Sequence, residues 1–211
     1  MSRGLFLVFD GLDGTGKTTQ IRRLTEWLRA RSIPVTATRD PGGTDLAMRL
    51  REIVLHGRQH DIGVRTEALI FGAARADLVD HVIRPALARG EVVLSDRYAL
   101  ANVVYQGHAG GIDPDRLREI ESFVTDGEMP SLTLIFDLPE AEAATRRRRE
   151  NDRMESKGPD YLDRVRKGFR AEAMRDPQRV VLIDASGTVD EVFESVLGVI
   201  QSVLVQSGYP I

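Results

Sequence analysis

"GLDGTGKT", residues 11–18, sits between an apolar run, Leu5–Phe9, and a stretch with helical spacing that starts at Thr18. It fits the pattern GxxxxGK[ST] in the strand–loop–helix setting which that pattern requires. Glycines let successive backbone N–H groups curl around an anion, and the following helix N-terminus adds partial positive charge. Lys17 can then reach the outer phosphates of a nucleotide while the Thr18 hydroxyl ligates magnesium. Gly11, Leu12, Asp13, Gly14, Thr15, Gly16, Lys17, Thr18 and Thr19 are thus candidate ATP-binding residues, with Lys17 the catalytic cation. An ordinary glycine-rich corner is the alternative, and Lys and Thr in register weigh against it.

Outward from this loop, Leu5–Phe9, Val35–Thr38, Val92–Leu94, Leu132–Phe136 and Val180–Ile183 are short β-branched or leucine-rich runs bounded by Gly, Pro, Asp or Arg. They read as buried strands. Helical spacing fills the intervals: Thr18–Arg31, Leu46–Leu55, Thr66–Ala88, Pro114–Val124, Pro139–Glu150, Tyr161–Arg175 and Val189–Val205. Strict alternation needs crossover connections, which predicts an α/β fold with a mostly parallel sheet covered on both faces. Ligands then bind beyond the carboxyl ends of the strands.

A chain of 211 residues that is 42 % hydrophobic is long enough for one well-buried core, so residues 1–211 read as a single domain. With 29 basic and 32 acidic residues, a nucleic-acid coat protein is disfavoured. No cysteine is present, which removes disulfides, thiolate metal sites and cysteine nucleophiles. The first apolar run is too short for a signal-peptide core, and "VFESVLGVIQSVLVQ" is too short and too polar to span a bilayer. A cytoplasmic protein without membrane or nucleic-acid partner is expected. His56 and His60 have a metal-like spacing, but Gly57 breaks the helix such a pair needs, so they read as loop residues.

Asp96 and Arg97 follow the third strand and project from the same edge as the glycine loop. Asp96 can hold magnesium beside Thr18, and Arg97 can clamp a phosphate; a strand-end ion pair is the alternative. Arg39, before "DPGG", is a weaker phosphate candidate, Arg51 is weaker again, and the Asp40–Pro41 bond is a candidate for the cis form. Phe71 and Arg75 are stacked one helical turn apart, so a ring and a guanidinium can read one base, although a phenylalanine at that spacing is as readily plain core. Tyr98, Asn102 and Tyr105 fall on one helical face; Asn102 can pair with a base edge, and Tyr98 reads as packing. A GTP switch would carry an Asn-Lys-x-Asp segment, and none of Lys17, Lys157 and Lys167 lies in one. Other kinases of small acceptors and a partner-moving ATPase remain as rivals.

"FDGLDGTGKTT", "TRDPGGT", "LIFGAARADLV", "VVLSDRY", "NVVYQG", "DRME" and "LIDA", in this order and spacing, resemble the thymidylate kinase family of the bacterial type. The resemblance covers about residues 5–200. It implies a three-layer P-loop kinase fold with a five-stranded parallel sheet and a short mobile lid, transfer of the γ-phosphoryl group from ATP to dTMP with Mg2+, and a homodimer. It places Phe71 on the thymine plane, Arg75 at the exocyclic oxygen, Arg97 at the acceptor phosphate and Tyr105 against the sugar. Asp13, an unusual acid in a phosphate loop, it places near the sugar 3′-hydroxyl and the metal. Together with Arg39 and Asn102 these residues form the expected dTMP site.

The segment "ATRRRRENDRMESKG", residues 144–158, puts four arginines in a row in a chain of net charge −3. A solvated helix face is the ordinary reading of such a run. The phosphate loop, however, has no cation besides Lys17, and two mutually repelling anions need more. The resemblance makes residues 146–158 the lid that delivers arginine: Arg153 matches "DR-x-E" and Arg148 matches an alternate-arginine spacing, both as catalytic cations, with Arg146 on ATP. Arg149 and Lys157 depart from the family pattern.

Overall fold

The computed structural model describes residues 3–57, 60–147 and 152–211. Five strands form one sheet: β1 (Phe6–Gly11), β2 (Val35–Arg39), β3 (Val92–Asp96), β4 (Leu132–Asp137) and β5 (Val180–Asp184). Every pairing is parallel, and the order is β2-β3-β1-β4-β5. The strand leading into the glycine loop is therefore central, with neighbours on both sides.

Period-two alternation sorts β1 between two cores. Leu7 and Phe9 pack with Leu24, Leu28, Phe169 and Val196 on one face. Phe6 and Val8 pack with Leu78, Ile83 and Leu87 on the other. The first layer contains α1 (Lys17–Arg29), α8 (Pro159–Arg175) and α9 (Val189–Gln206); α3 (Val64–Leu78) and α4 (Arg84–Ala88) contribute to the second. The other α-helices of the described residues are α2 (Asp45–Arg51), α5 (Ala99–Asn102), which runs on into a π-helical segment Val103–His108, α6 (Pro114–Val124) and α7 (Glu140–Arg146). The expected three-layer architecture is the one observed.

Local chemistry explains the helix boundaries. Thr188 and Glu191 form a reciprocal capping box at α9, Thr44 accepts from the Ala47 N–H at α2, and Pro114 opens α6 behind an Asp113 cap. The helix expected over residues 66–88 is interrupted: α3 passes through a π-helical turn, Val79–Ile83, before α4. Pro85 offers no N–H to the preceding turn, so the backbone widens there. The stretch expected over 46–55 likewise ends in a π turn, Glu52–His56, which Gly57 closes. The helix expected over 139–150 ends at Arg146, because Arg147 is extended (φ −72°, ψ 130°).

Tyr98 requires a correction. It does not share a helical face with Asn102 and Tyr105, because it precedes α5 in an extended conformation. Its ring packs edge-on against Phe6 in the second core, and its hydroxyl donates to the Glu128 carbonyl at 2.7 Å. Packing is its role.

Candidate active site

The parallel register brings three strand ends together. Asp96 lies level with Phe9 on one side and with Arg39 on the other. The glycine loop, the Arg39–Pro41 turn and the Asp96–Arg97 pair therefore share one edge. They open onto a cleft of about 760 Å³, whose lining also includes Arg51, Phe71, Arg75, Asn102, Tyr105, Arg146 and Arg147.

Gly14 and Gly16 adopt φ of 92° and 94°, a region that side-chain-bearing residues avoid. A Cβ on Gly14 would come within 2.2 Å of the Ala143 carbonyl. Gly16 caps α1, so the loop hands its N–H groups directly to the helix N-terminus. Lys17 is buried, and its Nζ donates to the Gly11 and Leu12 carbonyls at 3.1 and 2.8 Å and lies 3.3 Å from Asp13 Oδ1. Those carbonyls hold the cation where phosphate oxygens can take their place. Residues 13–19 line the cleft. Gly11 and Leu12 do not: Leu12 is core, and Gly11 lies against the Phe136 carbonyl, so their part is to hold Lys17.

Thr18 Oγ donates to Asp96 Oδ2 at 2.9 Å. A hydroxyl and a carboxylate at the end of a phosphate loop are hard oxygen donors of the kind magnesium takes. Asp13, Asp152 and Glu155 also bring carboxylate oxygens within 4.8 Å of one another. In that group Asp152 is engaged as a cap, its Oδ1 accepting from the Met154 and Glu155 N–H groups.

Arg97 joins three cleft-side groups. Nη1 donates to Asp10 Oδ1 and Nη2 to Asp13 Oδ1, both at 2.7 Å, and Nη2 also reaches the Tyr105 hydroxyl at 3.1 Å. Its backbone has φ 69°, pinned by its N–H on the Phe9 carbonyl and by Ser95 Oγ on its own carbonyl. A non-glycine residue held in that region marks a side chain whose aim matters. Burial pushes the Asp10 carboxyl up to about 6, opposed by Arg97 and then Lys17. Arg51 is pushed the other way, by burial first and then by Arg39 beside it. An anion between Arg39, Arg51 and Arg97 would relieve that repulsion.

On the far flank of the cleft, Phe71 belongs to the first core and also lines the cleft. Arg75 is fully buried; its Nε donates to Asp40 and its Nη1 to Glu121 at 2.6 Å. Asn102 Nδ2 donates to the Ala68 carbonyl at 3.2 Å and to Glu121. The Asp40–Pro41 bond is cis.

The arginine segment divides. Arg146 lies over the β5–α9 loop, donating to the Ala185 and Ser186 carbonyls, next to the cleft residues Gly187, Thr188 and Val189. Arg147 turns to the phosphate loop: it donates to the Asp13 carbonyl at 3.4 Å and to Glu140 at 2.7 Å. Arg148 lies outside the described residues. Arg153 is not brought to the cleft; its guanidinium donates to the Val54, Gly57 and His60 carbonyls. Three backbone acceptors in one place satisfy it there.

Arg147 is thus the arginine that spacing did not single out, since four identical neighbours give no means of choosing one. Asp10 read only as the end of a strand. Glu121 lies on α6, and no local pattern ties it to Arg75 or Asn102.

A protein-family model described as Thymidylate kinase matches residues 9–196. The chain is 41 % identical to a thymidylate kinase of Symbiobacterium thermophilum, over 95 % of this chain and 94 % of the relative. It is 45 % identical to one of Leifsonia xyli subsp. xyli over 90 % of each. Among solved structures, thymidylate kinase from Ehrlichia chaffeensis matches with a TM-score of 0.77 and 29 % identity, covering 94 % of this chain and 99 % of that one.

Proposed function

The chain belongs to the thymidylate kinase family, and from that premise we propose how its cleft carries out the reaction. It transfers the γ-phosphoryl group of ATP to dTMP, giving ADP and the dTDP needed for dTTP synthesis. An oxygen of the dTMP phosphate attacks the γ-phosphorus while the bond from that phosphorus to the β,γ-bridging oxygen breaks. The acceptor phosphate is already ionised at neutral pH, so no general base is needed, and catalysis consists of positioning and charge neutralisation.

ATP lies along residues 13–19 with its base end toward Arg146 and the β5–α9 loop. Lys17 exchanges the Gly11 and Leu12 carbonyls for phosphate oxygens. Thr18 and Asp96 fit a Mg2+ ion, which when bound supplies further neutralisation of the outer phosphates. Arg97, with Arg39 and Arg51 beside it, takes the dTMP phosphate. Phe71 stacks on thymine, Arg75 and Asn102 read its edge, and Tyr105 crowds the position of a 2′-hydroxyl. Asp13 aims Arg97 and sits toward the sugar 3′-hydroxyl. Arg147 supplies the cation between the two phosphates, and Arg153 anchors the lid segment that follows through the Val54, Gly57 and His60 carbonyls.

One observation carries this assignment: the base-side residues Phe71, Arg75, Asn102 and Tyr105 line the same cleft as Lys17 and Arg97. A homodimer and a cytoplasmic location belong to the same reading. Apolar Leu69 and Phe123, exposed on α3 and α6, support the former. Among the described residues no helix is long and apolar enough to cross a membrane. The test is ADP release with ATP and a panel of monophosphates. dTMP should exceed AMP, GMP, UMP and dCMP by about 100-fold or more in kcat/KM; equal rates overturn the assignment.

A further inference from the structure

Arg75 and Asn102 stand on different helices, yet one buried side chain holds both. Glu121, 1 % exposed on α6, accepts from Arg75 Nη1 through Oε2 and from Asn102 Nδ2 through Oε1. The Ala68 carbonyl takes the same amide nitrogen at 3.2 Å. A carbonyl and a carboxylate accepting through both oxygens leave the amide no choice: its NH2 must face them, and Oδ1 must face the other way. Asn102 lines the cleft, and among the described residues its Oδ1 is buried without a hydrogen-bond partner. Arg75 has spent Nε on Asp40 and Nη1 on Glu121, and among the described residues Nη2 makes no hydrogen bond.

Resting on the dTMP reading of the cleft, we propose that Glu121 is a positioning residue for base selection: it holds Arg75 as a donor and turns Asn102 so that its oxygen is offered as an acceptor. A donor beside an acceptor matches a pyrimidine with a 4-oxo group and an N3–H. It opposes a 4-amino pyrimidine, whose N3 is an acceptor and whose amino group is a donor, so each contact meets its own kind. Discrimination by unpaired buried polar groups is the strongest sort an enzyme site achieves. Glu121 does this without touching the base.

Glu121→Gln preserves the shape and removes one acceptor. The remaining oxygen goes to Arg75, because a charge-assisted bond is the stronger, and the new NH2 then confronts the Asn102 NH2. The expected result is a fall of about tenfold or more in the ratio of kcat/KM for dTMP to that for dCMP, through a raised KM for dTMP, with KM for ATP unchanged. A merely structural role would lower the melting temperature and weaken both substrates in parallel; an unchanged ratio overturns the proposal. Asn102→Ala separates the two levels. If it loses discrimination while Glu121→Gln keeps it, the base reading stands and the positioning role falls; if wild-type enzyme does not prefer dTMP at all, both fall. Should Glu121→Gln fail to fold, side-chain amide NMR of the wild-type protein decides. The Asn102 NH2 hydrogens should be protected from exchange before and after dTMP is added, and an NH2 that exchanges freely in the unliganded enzyme overturns the proposal.

Discussion

Arg97 Nη1 and Asp10 Oδ1 are 2.7 Å apart, and the carboxylate is wholly buried while the guanidinium reaches into the cleft. The pair joins the end of the central strand to the residue proposed above for the acceptor phosphate. Burial holds the Asp10 carboxyl at about 6 against an ordinary value of 3.8. A folded-state value above the unfolded one means that the native protein binds more protons between about pH 4 and pH 6. The Asp10 contribution to stability is therefore full below about pH 4 and is lost as pH rises through about 6. Asp10→Asn should flatten this component, and urea titrations of both proteins at pH 4.5 and 7 measure it. A variant with the wild-type pH dependence would refute the assignment to Asp10.

Lys17→Ala removes a cation whose hold on the transferring group tightens in the transition state. A fall in kcat on the order of 10³ is expected, with dTMP binding kept. Single-turnover assays and dTMP titration by calorimetry check the two halves.

Phe71→Ala should raise KM for dTMP by about 10- to 100-fold with a smaller change in kcat, because stacking holds the acceptor equally before and during reaction. Phe71 also belongs to the core, so a drop in melting temperature is expected as well. Saturating dTMP should restore most of the rate. Failure to do so would make the residue purely structural.

Arg147→Ala and Arg153→Ala should differ in kind. The first takes a guanidinium from beside the phosphate loop and should lower kcat by about 10³, as loss of a cation at the transferring phosphoryl does. The second cuts the bonds to the Val54, Gly57 and His60 carbonyls and should act on stability and on KM more than on kcat. Equal kcat losses in the two variants would contradict the division of the segment.

Gly14→Ala needs a Cβ 2.2 Å from the Ala143 carbonyl on a backbone at φ 92°. The loop must shift, and ATP binding should fall by at least tenfold; fluorescence titration with a labelled ATP analogue reads it.

The sheet and the phosphate loop were legible in the sequence because their signals are local. Five short apolar runs, each closed by a breaker, gave the five strands to within two residues at either end, and GxxxxGK[ST] sets its own backbone. Cleft residues far apart in the chain were legible where a strand end carries them, as with Asp96 and Arg97, or where helical spacing and the family resemblance single them out, as with Phe71, Arg75, Asn102 and Tyr105. Glu121 was not legible, because its partners are made by packing α6 against α3 and α5. Tyr98 was misplaced because the left-handed Arg97 turns the chain before the helix begins, and helical spacing assumes no such turn. Arg147 was hidden among identical neighbours, and only the end of α7 at Arg146 distinguishes it.

β1 has no side that meets water: Leu7 and Phe9 fill one core, Phe6 and Val8 the other, and Asp10 and Gly11 are buried at its end. The strand feeding the nucleotide loop therefore offers no silent position, and random mutagenesis should find it nearly intolerant of polar replacements. Variation that retunes this kinase must enter from the cleft's rim rather than from the platform beneath it.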